Sequence, residues 1–220
     1  MSSTKNTFII GDIHGCFDEL QDLLQAANVS LVQHQVILVG DLINKGPASL
    51  KVLKWARDHQ IPSVLGNHEL RFLKSLNRET PMPPRLKELK NEMGKTLNHW
   101  IQWLQTWPAY IETPNYIVVH GGLEPNRSLN ETDPLVLVNI RTWEGSTQQM
   151  YRPGAPPWYS FYKGKKPVFY GHWATQGIHI ESNTYCLDSG CVYGRSLTGI
   201  WAETKEIVQV PARKIYCPVK

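Results

Sequence analysis

Asp12 and His14 stand two positions apart at the end of the apolar run FIIGDIHG, residues 8–15. Side chains on an extended strand alternate faces, so residues i and i+2 point the same way. If the strand persists through residue 14, a carboxylate and an imidazole project together from its carboxyl end, which suits a cation. The pattern recurs. VILVGDLINKGP (36–47) runs into Gly40-Asp41, and IPSVLGNHEL (61–70) into Gly66-Asn67-His68-Glu69. YIVVHGG (116–122) ends in His120, and PVFYGHWA (167–174) in Gly171-His172. These strand-like runs stop at Asp, Asn or His beside a glycine, which lets a backbone turn sharply or approach a ligand.

Six candidate ligands follow: Asp12, His14, Asp41, Asn67, His120 and His172. They mix carboxylate, amide oxygen and imidazole with no thiolate, a shell for Mn, Fe, Zn or Mg rather than a soft metal. A carboxylate can bridge two cations, and two cations together acidify a water and clamp a phosphoryl oxygen. Hydrolysis of a phosphate ester or anhydride is the chemistry such a set performs. Each residue also has a structural alternative. Asn67 could cap the helix after it, Asp12 and Asp41 could cap helices or close turns, and His120 or His172 could be satisfied at a sheet edge. Their joint occurrence at successive strand ends favours the metal reading.

The elements that must position them alternate. Apolar stretches at 7–11, 35–40 and 61–65 read as strands. Phe17, Leu20, Leu23 and Leu24 recur at helical spacing over 16–27. Pro47 opens a helix to about 58, and another begins near Asn67. This βαβ pattern gathers ligands at the carboxyl ends of the strands. NRETPMPPR (77–85) is a turn-rich break, after which Leu86, Leu89, Met93, Leu97, Trp100, Ile101 and Leu104 mark one long helix to about Trp107. Residues 77–107 thus read as a helical insertion in a single domain spanning 1–220, with Trp100, Trp103 and Trp107 in its core. Short strands at 167–171, 177–181, 184–187, 196–202 and 206–210 suggest a second, largely antiparallel sheet. The fold class is α/β, a two-sheet sandwich flanked by helices.

No apolar run approaches membrane-spanning length and no signal peptide is apparent, so a soluble cytoplasmic protein is expected. Cys16, Cys186, Cys191 and Cys217 show no CxxC or zinc-ribbon spacing, consistent with reduced thiols. A net charge of +4 and a pI near 8.8 suit anionic substrates but are too mild to indicate nucleic-acid binding. No membrane and no obligate protein partner is inferred.

The ordered set GDIHG, GDLINKG, GNHE, HGG and GHW resembles the calcineurin-like metallophosphoesterases of the phosphoprotein-phosphatase superfamily, from residue 8 to about 210. The tail GHWATQG…LDSGCVYGRSLTGIW is most similar to ApaH-type symmetrical bis(5′-nucleosyl)-tetraphosphatases, which hydrolyse diadenosine tetraphosphate to two ADP, some relatives acting on nucleotide-type RNA caps. The resemblance implies two divalent metal ions, with Mn favoured and Fe, Zn, Co or Mg as alternatives. Asp12, His14 and Asp41 would hold one, Asp41, Asn67, His120 and His172 the other, with Asp41 as bridge and a metal-held hydroxide attacking. His68 would protonate the leaving oxygen, and Glu69 is assigned no catalytic step.

One departure from the superfamily bears on substrate. Its protein phosphatases carry Asp-Arg in GDxxDRG, where this chain has Asn44-Lys45. Loss of that carboxylate weakens support for a protonated His68, and Lys45 is a point charge where arginine offers a fork. A phosphoanhydride has a good leaving group and tolerates a weaker acid, so the substrate expected is a nucleotide anhydride, with capped RNA as a relative of it. Lys45 and Arg141, in NIRTWEG, are the candidate phosphate clamps, Arg141 alternatively being a surface residue. RPGAPPWYSFYKGKK (152–166) interleaves aromatic and cationic side chains that could take a base, or could pack on themselves. A Ser/Thr or Tyr phosphoprotein phosphatase is the alternative enzyme, and a metal-binding scaffold without turnover the alternative from another class.

Overall fold

The computed structural model describes residues 6–218. At its centre β1 (Thr7–Ile10) lies parallel to β2 (Gln35–Leu38) and antiparallel to β8 (Ser196–Trp201), which in turn pairs antiparallel with β9 (Ile207–Pro211). The second sheet orders β3 (Tyr110–Glu112), β4 (Ile117–Val119), β5 (Val168–Tyr170), β7 (Thr184–Cys186) and β6 (His179–Glu181). Between the sheets pack Ile9, Ile37, Val39, Val118, Phe169, Leu187 and Ile200. The alternate residues Phe8, Ile10, Val36 and Leu38 face the opposite way, into a core shared with the helices. Both faces of β1 and β2 are therefore buried, which is why their sequences are continuously apolar.

The helices are α1 (Phe17–Ala26), α2 (Ser49–Asp58), α3 (Asn67–Leu76), α4 (Pro84–Met93), α5 (Leu97–Gln105) and α6 (Pro134–Asn139). Leu20, Leu23, Val52, Leu53 and Phe72 bury the inner faces of α1 to α3 against the first sheet. On the outer face of the second sheet, Val136, Leu137 and Trp158 cover Ile117, Val119 and Tyr170.

Several sequence expectations differ from the structure. Residues 61–65 run beside β2 with one bridge, Leu38 to Ser63, and form no strand. Pro62 has no N–H to donate, and the Leu65 N–H turns away to Pro108 O. Pro47 falls before α2, whose first helical residue is Ser49. The long helix over 86–107 is two helices, broken at Gly94 (φ +48) by a short 3₁₀ turn, Gly94–Thr96. Leu86, Leu89, Met93, Trp100 and Leu104 nevertheless share one buried side, and the Arg57 guanidinium lies 3.7 Å from the centre of the Trp100 ring. The late strands do not make one antiparallel sheet. Strands β8 and β9 extend the first sheet, where Gly199 leaves room for the Phe8 ring that any Cβ would overlap. The second sheet is mixed, β4, β5 and β7 running parallel. No helix among the described residues is long and apolar enough to cross a membrane.

Candidate metal centre

The carboxyl ends of β1, β2, β4 and β5 meet the N-terminus of α3 at one edge of the sandwich, and all six candidate ligands lie there. The chain does not remain extended to His14. His14 has φ +47, Asp41 +53, Asn44 +73, Lys45 +64 and His172 +71. Non-glycine residues adopt this left-handed region at a cost, and such residues cluster where surrounding structure over-determines them. Here the determinants are visible. His14 N–H donates to Asp41 O (2.8 Å) and Gly15 N–H to Leu42 O (2.8 Å), locking the first loop to the second. Fully buried Glu69 accepts from the N–H groups of Asp41 (2.9 Å), Leu42 (2.9 Å), Ile43 (3.2 Å) and Gly66 (3.2 Å). Glu69, to which no catalytic step is assigned, is the peg around which the Asp41 loop is wound.

Side chains converge accordingly. Asp41 Oδ2 lies 3.6 Å from His14 Nε2, which is 4.0 Å from Asp12 Oδ2. Asp41 Oδ1 lies 3.4 Å from His120 Nε2, and it accepts the His68 N–H at 2.9 Å. Asn67 Oδ1 is 2.9 Å from both His120 Nε2 and His172 Nδ1, so its side chain faces the cluster and caps no helix. Asp12 accepts the His172 backbone N–H at 3.1 and 3.2 Å. Asp41 thus presents Oδ2 toward the His14 and His68 rings and Oδ1 toward the His120 ring.

Each ligand histidine is oriented by a backbone carbonyl. His14 Nδ1 donates to Ile43 O (3.0 Å), His120 Nδ1 to Val39 O (2.8 Å) and His172 Nε2 to Asn139 O (3.1 Å). These bonds fix the tautomer, leaving the other nitrogen of each ring a lone pair aimed at the cluster. Two such lone pairs then face the Asn67 oxygen at contact distance, acceptor against acceptor, an arrangement that a shared cation resolves. Burial, then Asp188 and Asp41, push the Asp12 carboxyl well above the usual range. Burial, then Lys45, hold His14 well below its usual value; burial, then His120 and Arg141, do the same for His172. Asp41 is also pushed up by burial, but His120 and His68 outweigh it and hold it well below. His120 goes the other way: burial pulls it down, but Asp41 outweighs that and raises it. Crowded carboxylates, an amide oxygen and imidazoles whose tautomers are set by backbone carbonyls are the donor set of divalent cations, so the residues present fit such ions.

Around the six lie the groups that could handle a substrate. Lys45 Nζ donates to His14 Nε2 (2.9 Å) and stands 5.2 Å from the centre of the Tyr193 ring. Arg141 Nη2 donates to His172 O (2.9 Å), with its Nε buried and unpartnered. His68 Nε2 is 3.8 Å from Asp41 Oδ2, and its Nδ1 meets the Asn44 amide nitrogen at 2.7 Å. Burial pushes His68 down to about 4, against the pull of Asp41. Lys45, His68 and Arg141 line one cleft of about 390 Å³ with four of the ligands, His14, Asp41, Asn67 and His172. That cleft also contains Asp188, which the sequence reading missed. It is buried, and burial raises it from the usual range, with Lys45 opposing. Thr184–Cys186 is another strand that soon reaches an Asp, but Leu187 precedes it where Asp12, Asp41, Asn67 and His172 each follow a glycine.

The 152–166 segment divides, Phe161 staying exposed and Tyr162 half-buried. Trp158 and Tyr159 are buried against Tyr170 and offer no face to a base. Cys16 and Cys191 are buried with Glu19 and unbridged, and the four cysteines are free.

Against known proteins, the profile of the calcineurin-like phosphoesterases matches residues 6–203. The symmetrical bis(5′-nucleosyl)-tetraphosphatase of Chromobacterium violaceum is 28% identical over 269 aligned positions, covering 94% of this chain and 95% of its own. A crystal structure provisionally named a diadenosine tetraphosphatase superposes with a TM-score of 0.85 at 30% identity, over 96% of this chain and 95% of its own. The cold-active protein-tyrosine phosphatase of a psychrophilic Shewanella species shares the fold alone, with a TM-score of 0.61 at 17% identity over 96% of this chain and 81% of its own.

Proposed function

The chain belongs to the calcineurin-like phosphoesterase family, and from that premise we propose that it is a divalent-metal-dependent hydrolase of nucleotide phosphoanhydrides, cleaving dinucleoside tetraphosphates to two nucleoside diphosphates. One observation carries the choice of substrate. Two cationic side chains line the cleft beside the ligand cluster, Lys45 next to His14 and Arg141 held by the backbone carbonyl of His172. A chain of phosphates supplies several anions in a row to meet them; a single phosphoserine supplies one.

Asp12, His14 and Asp41 would hold one cation, Asp41, Asn67, His120 and His172 the other, with Mn the ion assigned. The chemistry such ions supply when bound is acidification of a water and withdrawal of charge from the phosphoryl oxygens. The remaining work falls to the chain. Arg141, its guanidinium tied to the backbone of His172, orients one phosphate through a planar fork. Lys45, its charge favoured by Asp41 and Tyr193 despite burial, neutralises another. His68 gives a proton to the departing phosphate oxygen. Its ring rests on the neutral Asn44 amide, which does nothing to hold the protonated form that burial disfavours, so little of the acid is populated at neutral pH. A phosphate leaving group needs little more. A serine alkoxide would. The relatives named as tetraphosphatases point the same way.

Product chromatography tests the reading. Diadenosine tetraphosphate with Mn should give two ADP, and faster than a phosphopeptide or an aryl phosphate is hydrolysed. A faster phosphopeptide would make this a protein phosphatase, and a preference for capped RNA would move the anhydride to an RNA end.

A further inference from the structure

Trp158 and Tyr159 are sealed in the core, and Phe161 and Tyr162 line a separate cleft with Arg127 and Lys163 that shares no residue with the ligand cleft. One aromatic corner adjoins the ligand cleft. Tyr151 and Trp173 meet edge to face, ring centres 6.2 Å apart at 83°. Trp173 follows His172 in the chain and is half-buried, while the Tyr151 ring is 45% exposed and carries the Arg141 guanidinium 5.4 Å from its centre. The corner therefore begins where the phosphate clamp ends.

The backbone on both sides of Tyr151 is tied down. Met150 O on one side accepts the N–H groups of Arg141 (2.7 Å) and Thr142 (3.1 Å). Arg152 N–H on the other side donates to Thr142 Oγ1 (2.8 Å), and the Arg152 side chain pairs with Glu144. An aromatic ring on a backbone tied down at the mouth of an anion-binding cleft leaves less chain to order on binding, and a flat π-face stacks on any base.

We propose that Tyr151 and Trp173 form the stacking platform for the nucleoside whose phosphate Arg141 holds. This deepens the proposed function and takes from it only that the substrate is a nucleotide. The platform selects for a base without reading its edge, so it discriminates nucleoside polyphosphates from inorganic polyphosphate rather than one base from another.

Calorimetric titration of the metal-loaded full chain with ADP and, separately, with inorganic pyrophosphate tests it. Tyr151→Ala should weaken ADP by about 5-fold to 150-fold, the usual worth of one base–aromatic stack, and leave pyrophosphate within about 2-fold because the His172 carbonyl still holds Arg141. Tyr151→Phe should bind ADP as the parent does. Trp173→Ala, checked for an unchanged circular dichroism spectrum, should repeat the ADP-selective loss. A parallel loss of both ligands would mean that Tyr151 only props Arg141, and would overturn the platform. So would unchanged ADP binding, or a parent protein that binds ADP no more tightly than pyrophosphate. The two readings fail separately. ADP-selective loss without any dinucleotide hydrolysis would defeat the proposed reaction alone; rapid hydrolysis with an unaltered KM in Tyr151→Ala would defeat the platform alone.

Discussion

His68 and Glu69 are neighbours with divided labour. His68 lines the cleft in which the proposed reaction would take place, whereas Glu69 holds four backbone N–H groups, three of the Asp41 loop and that of Gly66. His68→Asn is expected to keep metal content and slow turnover, by about 10²–10⁴ on alkyl phosphates, where general acid catalysis has its ordinary weight, and by less on anhydrides. Equal losses on both substrate types, measured as kcat, would contradict a leaving-group role. Asn44→Asp places a carboxylate beside His68 and should raise the alkyl-phosphate rate relative to the anhydride rate. Glu69→Gln turns an amide N–H toward donors. Losing two charge-assisted bonds should cost on the order of 3 kcal/mol, a fall in melting temperature of about 6–12 °C for a chain of this size, read by thermal denaturation. At this scale the sequence was informative because metal ligands have few substitutes: all six candidates converge. Asp188 and Glu69 were illegible for a common reason. An acidic residue has many uses, and only the third dimension shows that one faces the cleft and the other a ring of backbone donors.

The strand-end turns confine these side chains with little clearance. A Cβ on Gly171 would overlap Asp12 Oδ1 and lie 2.9 Å from Val39 Cγ2. Gly171→Ala should therefore displace Asp12 and lower metal occupancy and activity together, while the far-ultraviolet dichroism stays that of the parent. Retained metal content, measured by elemental analysis, would show that the loop gives way instead. Elements were legible where both faces are buried, as in β1 and β2, because composition alone marks such strands. They were less so where a single residue decides. Pro62 removes a donor from a run that otherwise reads as a strand, and Gly94 breaks an amphipathic pattern whose apolar positions continue past it in phase.

Across the whole molecule, the two sheets bring five separate stretches of chain to one edge, and the partnership of β1 with β8 joins the first motif to the last sheet strands. No local pattern encodes that pairing. It depends on the Phe8 ring filling the space above Gly199, a contact between residues almost the full chain apart. The buried carboxylates at this edge repel one another unless compensated, so binding of a cation there would be coupled to folding. Removal of metal by a chelator should lower the melting temperature by about 5–10 °C for each ion held at a hundred times its dissociation constant, with recovery on adding Mn. An unchanged transition in the presence of chelator would mean that the cluster carries no ion worth its repulsion.

Elemental analysis of the purified chain beside its Asp41→Asn variant tests most directly whether one carboxylate joins two metal shells. The account predicts about two tightly held divalent ions per chain in the parent, with loss from both positions and of activity in the variant, because the oxygens that face His14 and His120 belong to the same residue. Fewer than one ion in the parent, or full occupancy and normal turnover in Asp41→Asn, would contradict it.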